Sequence, residues 1–267
     1  MHIVHKTRPV VFIADLHLSH QRPDMTNAFF HFLDQQQDID ALYIMGDLFD
    51  FWTGDDMVCP FAQQVAIKLK QASQRFSIYY TTGNRDFLIG PDYLIAAGMT
   101  LLPDIHLINL FNTKTLVMHG DLLCTDDIQY QKFRRWSRQP QIQRLFLALP
   151  KWLRRFVANQ LRRTSANYAR HKTDSTMDAV PTTVQQLLQK HQATRMVHGH
   201  THRPYLHQLL HNQERWVVGD WYEQSSVLSV STQGHELKAT PLQAEQKAMP
   251  TSKQAHQSGS KSKDPVQ

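Results

Sequence analysis

Three histidines alternate in Val197-His198-Gly199-His200-Thr201-His202-Arg203-Pro204, directly after the apolar run Ala193-Thr194-Arg195-Met196-Val197. A strand feeding a glycine-broken loop can aim two imidazoles back at one point. Imidazole is neutral near physiological pH and is the commonest nitrogen ligand for a divalent metal. Four more stretches carry hard donors at short spacing: Asp15-Leu16-His17, Gly46-Asp47-Leu48-Phe49-Asp50, Gly83-Asn84-Arg85-Asp86 and His119-Gly120-Asp121. Collected, the candidate ligands are Asp15, His17, Asp47, Asn84, His119, His200 and His202. Two carboxylates, one amide and four imidazoles exceed one tetrahedral site and lack the thiolates of a soft one. They suit two five- or six-coordinate ions of the Mn, Fe or Zn type sharing one carboxylate. Ions roughly 3.5–4 Å apart lower the pKa of a shared water and clamp a phosphoryl group for in-line displacement. Hydrolysis of a phosphoester or phosphoanhydride is therefore the leading reaction type. His198 is left as a structural histidine.

Each stretch follows a β-rich apolar run. Val10-Val11-Phe12-Ile13-Ala14 reads as a buried strand ending at Asp15, and Ala41-Leu42-Tyr43-Ile44-Met45 as one ending at Gly46. Phe76–Thr81 leads to Gly83, and a strand over Lys114–Met118, preceded by one over Ile105–Leu110, delivers His119. Helices are expected at 24–38, with Asp24 as N-cap, at about 60–74, and at about 181–191. Short runs at Tyr205–Leu210, Arg215–Val218, Ser226–Val230 and Glu236–Ala239 read as a closing antiparallel sheet. Strands alternating with helices define an α/β chain, and in such architectures ligands gather at the carboxyl ends of strands.

A chain of 267 residues with 41% hydrophobic and 19% charged content is long enough for one large domain with a full core. Two cysteines, Cys59 and Cys124, make no disulfide framework and point to a reducing compartment. No signal-peptide layout precedes the first strand, and no apolar run approaches the roughly 18 residues of a spanning helix. Net charge is +6, which suggests an anionic partner. Twelve of the 29 Lys and Arg lie between Ile128 and Lys172, where there is no Asp or Glu. Elsewhere 17 basic residues face 23 acidic ones, so the basic character belongs to one insert.

That insert contains helical stretches punctuated by Pro140 and Pro150. Leu149, Trp152, Leu153, Phe156, Val157 and Leu161 fall at helical spacing, with Arg154, Arg155, Arg162 and Arg163 mostly off the stripe. Two readings follow. The helices pack their apolar stripe on the core with a solvated basic face, or they form a lid whose basic residues meet phosphate while the stripe meets acyl chains. Residues 244–267, rich in Gln, Ser, Lys and Ala without aromatics, are expected to be a disordered tail. The domain expectation is one unit over 1–243, with 123–172 as the inserted basic helical lid.

Asp-x-His, Gly-Asp-x-x-Asp, Gly-Asn-x-Asp, His-Gly-Asp and Gly-His-x-His, in this order over about residues 10–220, resemble the calcineurin-like metallophosphoesterases. The resemblance implies a two-sheet αββα sandwich. It implies that Asp15, His17, Asp47 and His202 hold one metal and Asp47, Asn84, His119 and His200 the other, with Asp47 bridging. Catalysis would rest on Asp47, Asn84, Arg85, His119 and His200. Most of that family has histidine after Gly-Asn, where it is thought to protonate the leaving group; this chain has Arg85. A guanidinium stays charged and cannot act as a general acid, but it forks onto phosphate oxygens. Such a site favours a leaving group that departs as a stable anion. A phosphate monoester, with its second pKa near 6, qualifies; an alkoxide does not. Pyrophosphate cleavage is expected, and protein dephosphorylation is not.

Within the family the closer resemblance is to members that act on lipid-linked UDP-sugars in lipid A biosynthesis. It rests on Ala14–Ser19, Gly46–Asp50, Gly83–Phe87, His119–Asp121 with Leu123–Asp127, Gly199–Pro204 and the basic insert. It implies two Mn2+ ions, hydrolysis at the phosphorus nearer the uridine, and release of UMP and an acylated glucosamine 1-phosphate. Substrate contacts would fall to Asn84, Arg85, Asp127, Ser165, Lys172 and His200. The family's Asn contact falls at Ala169, with Asn167 two residues earlier. The implied setting is peripheral, on the anionic cytoplasmic face of the inner membrane, with no nucleic acid and no obligate protein partner. Two alternatives stay open: a phosphoesterase of soluble nucleotide pyrophosphates, and a non-catalytic peripheral or nucleic-acid-binding protein that uses the insert.

Overall fold

The computed structural model describes residues 3–170 and 178–241, without the side chains of 162–170. Lys172 and the 244–267 tail lie outside the described residues. The three apolar runs of the first half form parallel strands β2 (Val10–Ile13), β3 (Ala41–Met45) and β4 (Ser77–Thr81), following the short β1 (Ile3–His5). Then come β5 (Thr100–Leu101), β6 (Ile105–Leu110) and β7 (Thr113–Met118), and later β8 (Arg195–His198), β9 (Tyr205–Gln208), β10 (Glu214–Val217), β11 (Gln224–Ser231) and β12 (Gly234–Pro241). They make two six-stranded sheets, ordered β12-β11-β2-β3-β4-β5 and β1-β6-β7-β8-β10-β9.

Alternation of side chains along the strands sorts the core into three layers. Val10, Phe12, Tyr43, Met45 and Tyr79 of the first sheet meet Ile108, Leu110, Val117, Val197 and Trp216 of the second in one cluster between the sheets. The intervening residues Val11, Ile13, Leu42, Ile44, Ile78 and Tyr80 face outward under the helices α1 (Pro23–Gln35), α2 (Pro60–Ala72) and α3 (Pro91–Ala97). On the opposite outer face Leu116, Met118 and Met196 pack with Val184 and Leu188 of α7 (Pro181–Lys190). A sheet covered on both faces explains why β2 and β3 are continuous apolar runs. The result is the expected αββα sandwich.

Two local expectations are corrected. Asp24 is not the N-cap of α1: Pro23 opens the helix, Arg22 holds the cap position, and Asp24 sits in the first turn paired with Arg22 at 2.8 Å. A carboxylate there favours the helix dipole from inside the helix. The four C-terminal runs do not close one antiparallel sheet either. β9 and β10 extend the second sheet, with β10 parallel to β8, whereas β11 and β12 extend the first, with β11 antiparallel to β2.

The insert forms three helices, α4 (Ile128–Ser137), α5 (Pro140–Ala148) and α6 (Lys151–Arg170). Pro140 stands in the first turn of α5 and Pro150 just before α6, positions where a missing N–H costs nothing. Among the described residues no helix is long and apolar enough to cross a membrane. Leu188 is fully buried at the centre of the α7 layer. Leu188→Ala should cost about 2–5 kcal/mol, read as a lowered urea midpoint; an unchanged midpoint would contradict α7 as a load-sharing outer layer.

Candidate metal centre

Strands β2, β3 and β4 of one sheet and β7 and β8 of the other end at the same rim, and their loops carry all seven candidate ligands. The loops are stitched to one another through the backbone. Asp15 N–H donates to Gly46 O at 3.1 Å, His17 N–H to Asp47 O at 2.9 Å, and Gly199 N–H to His119 O at 2.8 Å. Asp15, His17, Asp47, His200 and His202 all have φ between 47° and 69°. That left-handed region is uncommon for residues other than glycine and collects at functional sites.

Both carboxylates are used in the same way. Asp15 Oδ2 accepts from the His200 N–H at 2.7 Å, and Asp47 Oδ1 accepts from the Arg85 N–H at 2.8 Å. One oxygen of each is thereby fixed and the other points into the centre. Asp15 Oδ1 lies 3.5 Å from His202 Nε2. Asp47 Oδ2 stands between two groups, 3.9 Å from His17 Nδ1 and 4.0 Å from His119 Nε2. Ligand atoms of Asp15, His17 and His202, and of Asp15, Asp47 and His119, lie within 4.8 Å of one another. Asp15 is common to both groups, and Asp47 Oδ2 stands between His17 of the first and His119 of the second.

The donor chemistry fits cations. His119 Nδ1 donates to Met45 O at 2.8 Å, which leaves Nε2 as the ring atom turned into the centre. That atom lies 3.0 Å from Asn84 Oδ1 and 3.1 Å from His200 Nδ1. Neither of the two buried ring nitrogens of His17 has a hydrogen-bond partner among the described residues. Converging buried lone pairs are costly unless a cation collects them.

Burial acts on each group. It lowers His17 to about 3 and His200 to about 4, keeping both neutral, as ligands must be. Burial raises the Asp47 carboxyl to about 7, with the neighbouring Asp86 and Asp15 adding to the rise. Burial also acts to raise Asp15, but the hydrogen bond from His202 and the surrounding imidazoles outweigh it and hold that carboxyl well below its ordinary range. His119 and His202 move up despite burial, drawn by Asp47 and by Asp15 respectively.

Arg85 sends Nη1 to Asp50 Oδ1 at 2.8 Å and brings Nε to 3.8 Å from Asp47 Oδ2, with its side chain 42% exposed. Asp127 is the N-cap of α4, its Oδ1 accepting from the Tyr130 N–H at 3.1 Å. Ser165 and Ala169 fall in α6 and Lys172 beyond it, and their side chains lie outside the description. His198 is buried, its Nδ1 2.8 Å from Gly199 O, in line with a structural role.

Several positioning groups carry no role in the sequence reading. Fully buried Asp86 accepts from the N–H groups of Leu48 at 2.7 Å and Gly83 at 2.9 Å, tying the Asp47 loop to the Asn84 loop. Asp121 accepts from Tyr130 OH and Arg134 Nε, both at 2.6 Å, and Arg138 Nη2 donates to Gly83 O at 2.7 Å. The Tyr130 ring lies 6.2 Å from that of His200. Residues 130, 134 and 138 share one face of α4 at a spacing of four, and that spacing is the signal that reveals them. Asp220 approaches His202 Nδ1 at 3.7 Å.

One arginine of the insert does not lie where the sequence reading put it. Arg154 is buried, bonded to Thr53 O and paired with Asp56, so it leaves the basic face. Part of the apolar stripe is exposed, with Trp152 at 69% and Phe156 at 58%, which packing on the core would not leave, while Leu149, Leu153 and Val157 are half-buried. Of the fifteen exposed large apolar side chains among the described residues, seven lie between Ile128 and Leu161.

A Cβ at Gly83 would stand 2.0 Å from Asp47 Oδ1, and one at Gly46 (φ +85°) would meet His119 Nδ1 at 2.7 Å. Gly83→Ala should therefore displace the Asp47 carboxylate and weaken metal binding about 10–100-fold, measured by calorimetry on the folded protein. Arg138→Met, which frees the Gly83 carbonyl, should weaken it in the same direction but less.

Residues 8–204 match the model of the calcineurin-like phosphoesterase family. Three curated relatives are called UDP-2,3-diacylglucosamine hydrolase. The one from Shewanella sp. (strain W3-18-1) is 48% identical over 237 residues, which is 88% of this chain and 98% of that relative. Those from Shewanella oneidensis and Shewanella pealeana are 49% and 48% identical, each over 87% of this chain and 98% of the relative.

Proposed function

The chain belongs to the calcineurin-like phosphoesterases, and from that premise we propose that it hydrolyses UDP-2,3-diacylglucosamine to UMP and 2,3-diacylglucosamine 1-phosphate, a step of lipid A biosynthesis. The observation that carries the reaction type is the Asp47 carboxylate, whose Oδ2 lies between the two donor sets. The substrate follows from the named relatives and from the pairing of this centre with an apolar, basic insert.

Asp15, His17, Asp47 and His202 would hold one ion and Asp47, Asn84, His119 and His200 the other, and the ion we assign is Mn2+. When bound, such a pair activates water and neutralises charge on the phosphoryl oxygens. The chain supplies the geometry. The two N–H groups that fix Asp15 and Asp47 keep their other oxygens aimed at the centre. Arg85, held by Asp50, presents donors to an equatorial phosphoryl oxygen as charge builds there. The bond between the phosphorus nearer the uridine and the bridging oxygen breaks, and the water oxygen stays in UMP. The other product leaves as a phosphate monoester and needs no proton from Arg85.

We further assign the exposed Trp152 and Phe156, with exposed Arg144 and Arg155 nearby, to the acyl chains and the anionic surface of the inner membrane, on its cytoplasmic face. Trp152→Ser with Phe156→Ser should reduce binding to vesicles containing anionic lipid while leaving Mn2+ affinity intact. Undiminished vesicle binding would remove the insert from the membrane.

The decisive assay is UMP release from UDP-2,3-diacylglucosamine with Mn2+, with and without chelator. Metal-dependent release is expected. Asp47→Ala should lose several orders of magnitude, and Arg85→Gln about 10²-fold. Comparable turnover of a UDP-sugar without acyl chains would shift the assignment to soluble nucleotide pyrophosphates.

A further inference from the structure

A cleft of about 650 Å³ opens on the side of the centre away from the insert. His17, Arg85 and His202 form its inner end, and Tyr222, Glu223 and Gln224 its outer end. Its volume is in the range of small-ligand sites. None of its lining residues comes from α4, α5 or α6. The insert approaches the other flank, where Tyr130 faces His200. A pyrophosphate lying across the centre would therefore send one end toward the apolar insert and the other into this cleft.

The cleft is not built for acyl chains. It offers an aromatic ring, carboxylates and an amide. Tyr222 is 59% exposed, yet Arg22 lies over its ring at 4.9 Å from the centroid and donates Nη2 to Tyr222 O at 2.8 Å. Arg22 is fixed in turn by Asp24, whose two oxygens accept from Nε and Nη2. The ring is thus a platform steadied from one face, ordered before any base arrives. Asp220 lies beside His202 and serves that ring, and Asp50 holds Arg85, which leaves Glu223 as the carboxylate at the outer end. A carboxylate only accepts, and ribose hydroxyls donate, so the two are matched; dinucleotide sites use the same pairing. The Gln224 amide both donates and accepts, as the edge of a uracil ring requires. Negative charge at the outer end also opposes a phosphate there, so the cleft sets the direction in which a nucleotide can lie.

We propose that this cleft seats the pyrimidine ribonucleoside of the substrate, with the Tyr222 ring stacking on the base and the Glu223 carboxylate accepting from the ribose hydroxyls. This rests on reading the substrate as a UDP-sugar. The test is calorimetric titration of the full-length, Mn2+-loaded protein with UMP, 2′-deoxyUMP and ribose 5-phosphate. The wild-type chain should bind UMP more tightly than either analogue. Tyr222→Ala should weaken UMP by about tenfold and ribose 5-phosphate by less. Glu223→Gln should narrow the preference for UMP over 2′-deoxyUMP. Equal wild-type affinity for UMP and ribose 5-phosphate, or UMP affinity untouched by Tyr222→Ala, would overturn the assignment. Both side chains are exposed, so the variants should fold. UMP release from UDP-2,3-diacylglucosamine by the wild-type chain, measured separately, tells a misplaced nucleoside from a wrong substrate.

Discussion

The site depends on a buried carboxylate with its two oxygens assigned to different tasks. Asp47 gives one oxygen to the Arg85 N–H and keeps the other for the centre. A buried carboxylate without a counter-charge is expensive. Burial and the neighbouring Asp86 and Asp15 push the Asp47 carboxyl upward, the direction that expense requires. Around it stands a layer that has little other purpose than to hold it still. Asp86 collects N–H groups from two loops, Arg138 grips the Gly83 carbonyl, and backbone bonds run from loop to loop. Five of the seven candidate ligand residues sit in left-handed backbone. Strain of that kind persists only where the surroundings over-determine it.

The sandwich supplies those surroundings. The central strands of each sheet are buried on both faces, so the strands that carry the loops cannot slide without exposing one apolar face or the other. Because three of the loops come from one sheet and two from the other, the packing of Phe12, Tyr43, Val117 and Val197 between the sheets sets the separation of the ligands. Stability and site geometry thus draw on the same core.

Much of this was legible in the sequence. Apolar runs of four or five residues ending in Asp, Asn or His announce strands and their loops, because a doubly covered strand has no polar face to confuse the pattern. All seven ligand candidates lie at one rim for that reason. Other features were not legible. β1 and β5 are too short to show a period. The distribution of the last four strands between two sheets depends on tertiary pairing that no local pattern records. Asp86 stood inside a recognised motif, but its work is to accept backbone N–H groups, which any turn residue might do. In the insert, charge counting put Arg154 in solvent; its partner Asp56 is almost a hundred residues away, so composition alone could not find it.

One consequence follows from where the last ligands lie. Each proposed donor set takes one member from the loop after β8: His202 in one, His200 in the other. The N–H of His200 also fixes Asp15, and the N–H of Trp221 reaches Asp15 O. Neither proposed set can therefore close until β8 has docked beside β7, so the centre belongs to the finished sandwich and to no shorter stretch of the chain.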